Sequence, residues 1–162
     1  YLLHKNNWNG INVDISEFSI DLFNFLRPND VNINSAISNL DSEITFYYQK
    51  KLSQLSTIKK DVSKIRFQGP IKEKQIKSFK LNTILDNSCY KNRRIDFLNI
   101  DLEGADLDAL KSLNFEIYRP KIICVEIINK NIINSETYKY LCEKKYKMVW
   151  SSKTNLSHIF II

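Results

Sequence analysis

The stretch that most constrains the fold of this chain is residues 95–113, which read IDFLNIDLEGADLDALKSL. A short apolar run comes first, two acidic residues and a glycine follow, and apolar residues then recur at helical spacing. This order predicts a buried strand, a tight turn and a helix whose N-terminal dipole favours Asp106 and Asp108 in its first turn. A strand followed directly by a helix is the repeating unit of an open α/β sheet.

Two acidic side chains, Asp101 and Glu103, come at the end of this predicted strand. Ligands of open α/β sheets bind outside the carboxyl ends of the strands, so we expect both acids to face a ligand crevice. If the extended geometry persists to Glu103, the two carboxylates also lie on one side of the strand, where crowding splits their pKa values. The sequence is equally compatible with acids that only cap the following helix.

The rest of the chain continues the alternation of strands and helices. Strands are predicted at residues 10–14, 31–37, 43–48, 76–79, 120–127, 146–150 and 156–162, and helices at residues 15–27, 81–86 and 135–145. The pattern predicts a Rossmann-like α/β fold over residues 1–162 as a single domain, mostly parallel, with an antiparallel strand near the carboxyl end. Residues 49–74 are polar and without a period, which indicates a long loop, either a functional lid or a mobile segment, with room for one short helix.

Composition removes several classes of function. The sequence has only three glycines, so it contains neither a P-loop nor a GxGxxG motif, and two histidines without a CxxC pair argue against a zinc site. No apolar run approaches the roughly 18 residues that a membrane span needs, and three cysteines without close pairing fit a reducing compartment. We therefore expect a cytoplasmic protein. The net charge of +6 comes from scattered lysines, so nucleic acid is not the expected partner.

Asp14 ends the strand at residues 10–14, immediately before a helix. An acid at this position of a nucleotide-binding sheet can accept hydrogen bonds from both hydroxyl groups of a ribose. On geometry alone an adenosine-type ligand is plausible, and a simple helix cap is the alternative.

Five segments together resemble the FkbM family of S-adenosylmethionine-dependent methyltransferases. They are WNGINVD at residues 8–14, RPNDVNINSAISN at 27–39, EITFYY at 43–48, IDFLNIDLEGADLDAL at 95–110 and YRPKIICVEI at 118–127. The resemblance spans nearly the whole chain in the order of the family. It implies a class I methyltransferase fold, S-adenosylmethionine as cofactor, and O-methylation of a sugar, a glycan or another secondary metabolite.

The resemblance also implies roles for individual residues. Asp14 matches the acid that holds the cofactor ribose, and Ala36 and Ile37 match the strand end beside the adenine. Asp101 and Glu103 match the acids that face the methyl-transfer region, so Asp101 is expected to contact the cofactor as well. In methyl transfer to a hydroxyl, one of these two acids would remove the hydroxyl proton and the other would orient the acceptor.

One departure from the family concerns its glycine-rich cofactor loop, which has no counterpart in the sequence. The resemblance therefore implies an amino-terminally truncated form, whose missing first strand would sit between residues 10–14 and 95–101. We expect this segment alone to bind the cofactor poorly. The absent loop also suggests an alternative function, a non-catalytic binding or scaffold module, and the positive charge suggests a weaker one, a nucleic-acid methyltransferase.

Overall fold

The computed structural model describes residues 2–50, 56–129, 131–154 and 156–162. These residues form helices α1 (Leu2–Lys5), α2 (Glu17–Leu26), α3 (Lys60–Arg66), α4 (Leu81–Asp86), α5 (Asp106–Lys111) and α6 (Glu136–Glu143), and a short 3-10 helix at Ile132–Asn134. The strands are β1 (Ile11–Asp14), β2 (Val31–Asn34), β3 (Ala36–Ile37), β4 (Ser42–Tyr48), β5 (Lys72–Phe79), β6 (Phe97–Ile100), β7 (Ile122–Glu126), β8 (Lys147–Ser151) and β9 (Ser157–Ile161). The α/β class is therefore confirmed.

The strands are joined by hydrogen bonds in three groups. β1 pairs with β2, β5 lies between β3 and β4, and the third group has the order β6-β7-β9-β8. Pairing is parallel between β1 and β2, β3 and β5, and β6 and β7, whereas β4, β8 and β9 pair with their neighbours in antiparallel fashion. The predicted antiparallel pair near the carboxyl end is confirmed. The mostly parallel single sheet is not what the described residues form.

The facing sides of β1 and β6 border a cleft of about 470 Å³. Ile11 and Val13 of β1 line it together with Leu98 and Ile100 of β6. Within the described residues β1 pairs only with β2 and β6 only with β7, so each strand keeps one unpaired edge. The cleft lies where the family resemblance places a further strand, and that strand stays a prediction.

A buried apolar cluster lies around β7 and the helices packed on its sheet. Ile123 and Val125 of β7 are completely buried, as are Leu110 of α5, Leu141 of α6 and Phe160 of β9. Burying one such side chain contributes about 1.5–3 kcal/mol, so this cluster holds the carboxyl ends of β6 and β7 in place. The short α5 is thereby fixed directly after the turn that follows β6.

Helix α2 is confirmed, but its apolar residues do not all face the core. Ser16 caps the helix by accepting a hydrogen bond from the Ser19 backbone N–H at 3.3 Å, and the helix ends before Pro28. Ile20 is buried, whereas Phe25 is 82% exposed. Of the helices in the part of the chain that the structure describes, none combines the length and the apolar character that a bilayer crossing needs.

Residues 56–67, which we call the strap, carry α3 and lie between β4 and β5 in the sequence. Thr57 exchanges two backbone hydrogen bonds with Tyr47 of β4, at 2.8 and 3.1 Å. The predicted long loop at residues 49–74 therefore contains the one short helix for which the sequence left room, and β5 already begins at Lys72. Residues 51–55 of that loop lie outside the described residues.

Candidate active site

The turn between β6 and α5, residues 101–105, is held by the carboxylate of Asp106. Asp106 Oδ1 accepts a hydrogen bond from the Leu102 backbone N–H at 3.1 Å, and Oδ2 accepts one from the Gly104 N–H at 3.2 Å. Asp106 is only 5% exposed, and this burial raises the pKa of its carboxyl group against the opposing effect of the backbone N–H groups of Leu102, Gly104 and Asp106 itself. Asp106 thus stabilises the turn by accepting two of its backbone hydrogen bonds.

The expected placement of Asp101 and Glu103 on one side of an extended strand is wrong. β6 ends at Ile100, and Glu103 has a φ of 51°, in the left-handed region, followed by Gly104 at 94°. The chain has therefore left the pleated geometry before it reaches Glu103. Asp101 is exposed at the end of β6, whereas the Glu103 side chain is 19% exposed and turns toward the strap.

The strap contacts this turn at several points. Arg66 forms an ion pair with Glu103, and Thr57 Oγ1 donates a hydrogen bond to the Glu103 carbonyl oxygen at 3.0 Å. Lys59 forms a second ion pair with Asp108 of α5. These contacts place α3 over the turn that follows β6, which the sequence did not indicate.

Glu126 ends β7, the parallel neighbour of β6, and so belongs to the same edge of the sheet. Its Oε2 is shielded from solvent and accepts no hydrogen bond from any residue that the structure describes. Burial raises the pKa of the Glu126 carboxyl group, the negative charges of Asp101 and Asp106 raise it further, and Arg66 lowers it. Cys124, two residues earlier on β7, has a thiol pKa that burial and Asp101 raise in the same way.

Asp14 ends β1 and is half-buried. Its Oδ1 accepts a hydrogen bond from the Ser16 backbone N–H at 2.8 Å. The N-cap of α2 is Ser16, whose side chain caps the helix. Asp14 therefore stabilises the backbone just before α2 but is not the N-cap residue of the helix. Its backbone carbonyl accepts a hydrogen bond from Ser35 N–H at 3.2 Å, which places the start of β3 beside the end of β1.

Ala36 and Ile37 form β3 and are 4% and 5% exposed. They pair with Ser78 and Phe79 of β5. Ile37 also lines the cleft, which reaches Leu102 in the turn after β6. The structure thus brings the start of β3 next to Asp14. Of the predicted site residues, Ile37 lines the cleft, whereas Asp14, Ala36, Asp101 and Glu103 do not.

Three residues of this region were missing from the predicted site: Arg66, Asp106 and Glu126. A charged residue near the carboxyl end of an otherwise apolar strand is a signal that identifies Glu126 from sequence. Asp106 appeared in the sequence only as a favourable first-turn acid, and Arg66 lies in a segment without periodicity. Within the described ranges, no group of His, Cys, Asp and Glu side chains could hold a metal ion.

We expect Gly104→Ala to lower the free energy of unfolding by about 1–2 kcal/mol, because a side chain is disfavoured at its left-handed φ. A Cβ at this position would also lie 3.1 Å from Val62 Cγ2 of α3, so the Val62 side chain has to give by a few tenths of an ångström. Gly10→Ala is the matched control, since a Cβ there meets no atom within 4 Å. Urea unfolding of the two variants measures the difference, and equal stabilities would contradict the close approach of α3 to the turn.

Comparison with known proteins identifies one family. The model described as the methyltransferase FkbM domain matches residues 1–148. No curated protein and no solved structure matches the chain. The match covers the segments at residues 8–14, 27–39, 43–48, 95–110 and 118–127, and it confirms the resemblance drawn from them.

Proposed function

Because the chain belongs to the FkbM methyltransferase family, we propose that it transfers a methyl group from S-adenosylmethionine to a hydroxyl group of a sugar, a glycan or another secondary metabolite. The observation that carries the proposal is a cleft lined by Ile37 of β3 and Leu102 of the turn after β6. Asp14 lies beside the start of β3, since its carbonyl oxygen accepts the Ser35 N–H, and Asp101 precedes Leu102. The proposed cofactor residues and the proposed acid–base residues lie at or directly after the carboxyl ends of β1, β3 and β6, where open α/β sheets bind ligands.

The residues present fit the ribose and the adenine of the cofactor. One oxygen of the Asp14 carboxylate accepts the Ser16 N–H, and a carboxylate has further acceptor sites that suit ribose hydroxyl groups. Ala36 and Ile37 offer an apolar, buried strand end of the kind that suits a purine ring. When bound, S-adenosylmethionine supplies an electrophilic methyl group on a positively charged sulfur.

Asp101 is the proposed general base. Its side chain is exposed at the end of β6, so its carboxylate is open to an acceptor hydroxyl group and can take the proton that the hydroxyl loses. Glu103 is held in an ion pair with Arg66, so we assign it the second role, orienting the acceptor. Alignment of the acceptor oxygen supplies much of the rate in a displacement of this type.

The proposed function is tested by incubating the full-length protein with cofactor carrying a labelled methyl group and a panel of free glycans, nucleotide sugars and small hydroxylated metabolites. Label appearing as a methyl ether on one class of acceptor supports the proposal and identifies the acceptor. Cofactor binding without transfer to any acceptor would favour the binding or scaffold module. Label on nucleic acid, with affinity that falls steeply with salt, would favour the nucleic-acid enzyme.

We expect Asp14→Ala to weaken binding of S-adenosylmethionine by roughly 1–3 kcal/mol, the loss that follows removal of hydrogen bonds to a charged group. Isothermal titration calorimetry on the full-length protein measures the change. Ser16→Ala is the control, because it removes the helix cap and leaves the carboxylate in place. The control should lower stability by about 1 kcal/mol and leave affinity unchanged. Equal affinities for Asp14→Ala and the wild type would overturn the ribose assignment.

A further inference from the structure

The strap carries a cation into an otherwise acidic part of the molecule. Glu103, Asp106 and Glu126 lie at or beside the carboxyl ends of β6 and β7 with Asp101, and the charges of Asp101, Asp106 and Arg66 all act on Glu126. Among the described residues, Arg66 is the cation that both pairs with one of these acids and acts on another. The charge of the candidate site therefore depends on a residue from outside the sheet.

Arg66 is also positioned to fix the conformation of the turn after β6. The side chains of Arg66 and Glu103 are 25% and 19% exposed, so the attraction between their charges is less screened by water than in a surface pair. Glu103 occupies a left-handed conformation, which for a residue with a side chain persists only where surrounding contacts hold it. The contacts of Arg66 with the Glu103 carboxylate and of Thr57 with its carbonyl oxygen supply that restraint.

We propose that Arg66 is a positioning residue of the methyl-transfer site, which holds Glu103 and thereby fixes the turn that presents Asp101 to the acceptor. The inference rests on the proposed function for its catalytic readout. One consequence distinguishes it from a merely structural ion pair, namely that loss of Arg66 changes turnover more than stability. A second consequence, a change in the ionisation of Glu126, shows that the charge of Arg66 acts on the candidate site.

The sign of the second consequence follows from the surroundings of Glu126. Asp101 after β6 and Asp106 of α5 disfavour its ionised form, Arg66 of α3 favours it, and β9 places the uncharged Ser157 opposite it. The thiol of Cys124 lies on the same strand. Removing the guanidinium therefore raises the pKa of Glu126, and the acid limb of the activity profile should move to higher pH if this carboxylate is needed in its ionised form.

The test compares Arg66→Gln, Arg66→Lys and the control Lys64→Gln, which removes one positive charge from an exposed position on the same helix. We expect Arg66→Gln to lower kcat by about 10- to 100-fold, the range expected when a reacting group is misplaced by a fraction of an ångström to one ångström. Arg66→Lys should restore the pKa of Glu126 but only part of kcat, because an ammonium group is a compact point charge without the fixed planar shape of the guanidinium. Lys64→Gln should match the wild type.

Two measurements keep the outcome decisive. A carbon-13 NMR titration of the Glu126 carboxyl group, assigned with Glu126→Gln, reads the charge effect without any turnover. Thermal unfolding reads stability. An Arg66→Gln variant whose kcat, pH profile and Glu126 titration equal those of Lys64→Gln would overturn the proposal. A loss of kcat that only follows a fall in melting temperature, without a shift in the titration, would overturn it as well. A wild-type protein that transfers no methyl group would instead refute the proposed function.

Discussion

Asp101→Asn should lower turnover by about 10² or more, because the amide cannot take the proton of an acceptor hydroxyl group. The Asp101 side chain is exposed at the end of β6. Among the described residues it takes part in none of the contacts that hold the strap or the turn, so the variant should keep its fold. Cofactor affinity should change much less than kcat, the pattern expected when a group acts in the transition state. Steady-state kinetics with labelled cofactor, together with calorimetry, measures both quantities.

Two further variants sharpen this expectation. Asp21→Asn is the matched control, because Asp21 is exposed on α2 and does not line the cleft. It should leave turnover unchanged. Glu103→Gln should also reduce turnover by about 10² or more, and it should lower stability too, since it leaves the partly buried Arg66 without its partner. Near-normal turnover in Asp101→Asn and Glu103→Gln would make both acids structural.

Asp106→Ala should lower the free energy of unfolding by about 2 kcal/mol or more, because the backbone N–H groups of Leu102 and Gly104 lose their acceptor in a partly buried turn. Asp108→Ala is the matched control on the same helix. Its ion pair with Lys59 is partly exposed, so its loss should change stability by less than about 1 kcal/mol. Urea unfolding followed by circular dichroism measures both variants, and equal effects would contradict the role assigned to Asp106.

The effect of Asp106→Ala should also depend on pH. Burial raises the pKa of this carboxyl group in the folded protein above its value in the unfolded chain, so the folded state binds the proton more tightly. The contribution of Asp106 to stability is therefore fullest below the unfolded pKa and declines as pH rises through the folded pKa. We expect the stability difference between wild type and Asp106→Ala to be larger near pH 4 than at pH 7. A difference that grows with pH would contradict the raised pKa.

The elements of this protein, and the family to which it belongs, could be predicted from the sequence because their signals are local. The apolar run before Asp101, the glycine at position 104 and the helical spacing after it predicted β6, the turn and α5 within a few residues. Pro28 and the alternation at residues 10–14 did the same for α2 and β1. Such patterns involve neighbours a few residues apart, so they are legible without knowledge of the remaining chain.

Only the tertiary structure decided how these elements meet. Arg66 pairs with Glu103 and Lys59 with Asp108 across long stretches of chain, and residues 56–67 show no period that predicts where they dock. The left-handed conformation of Glu103, which removes it from the side of the strand, coincides with those long-range contacts. Ion pairs depend on distance in space and not on spacing in sequence, so the candidate acids could be named from the sequence while their partners could not.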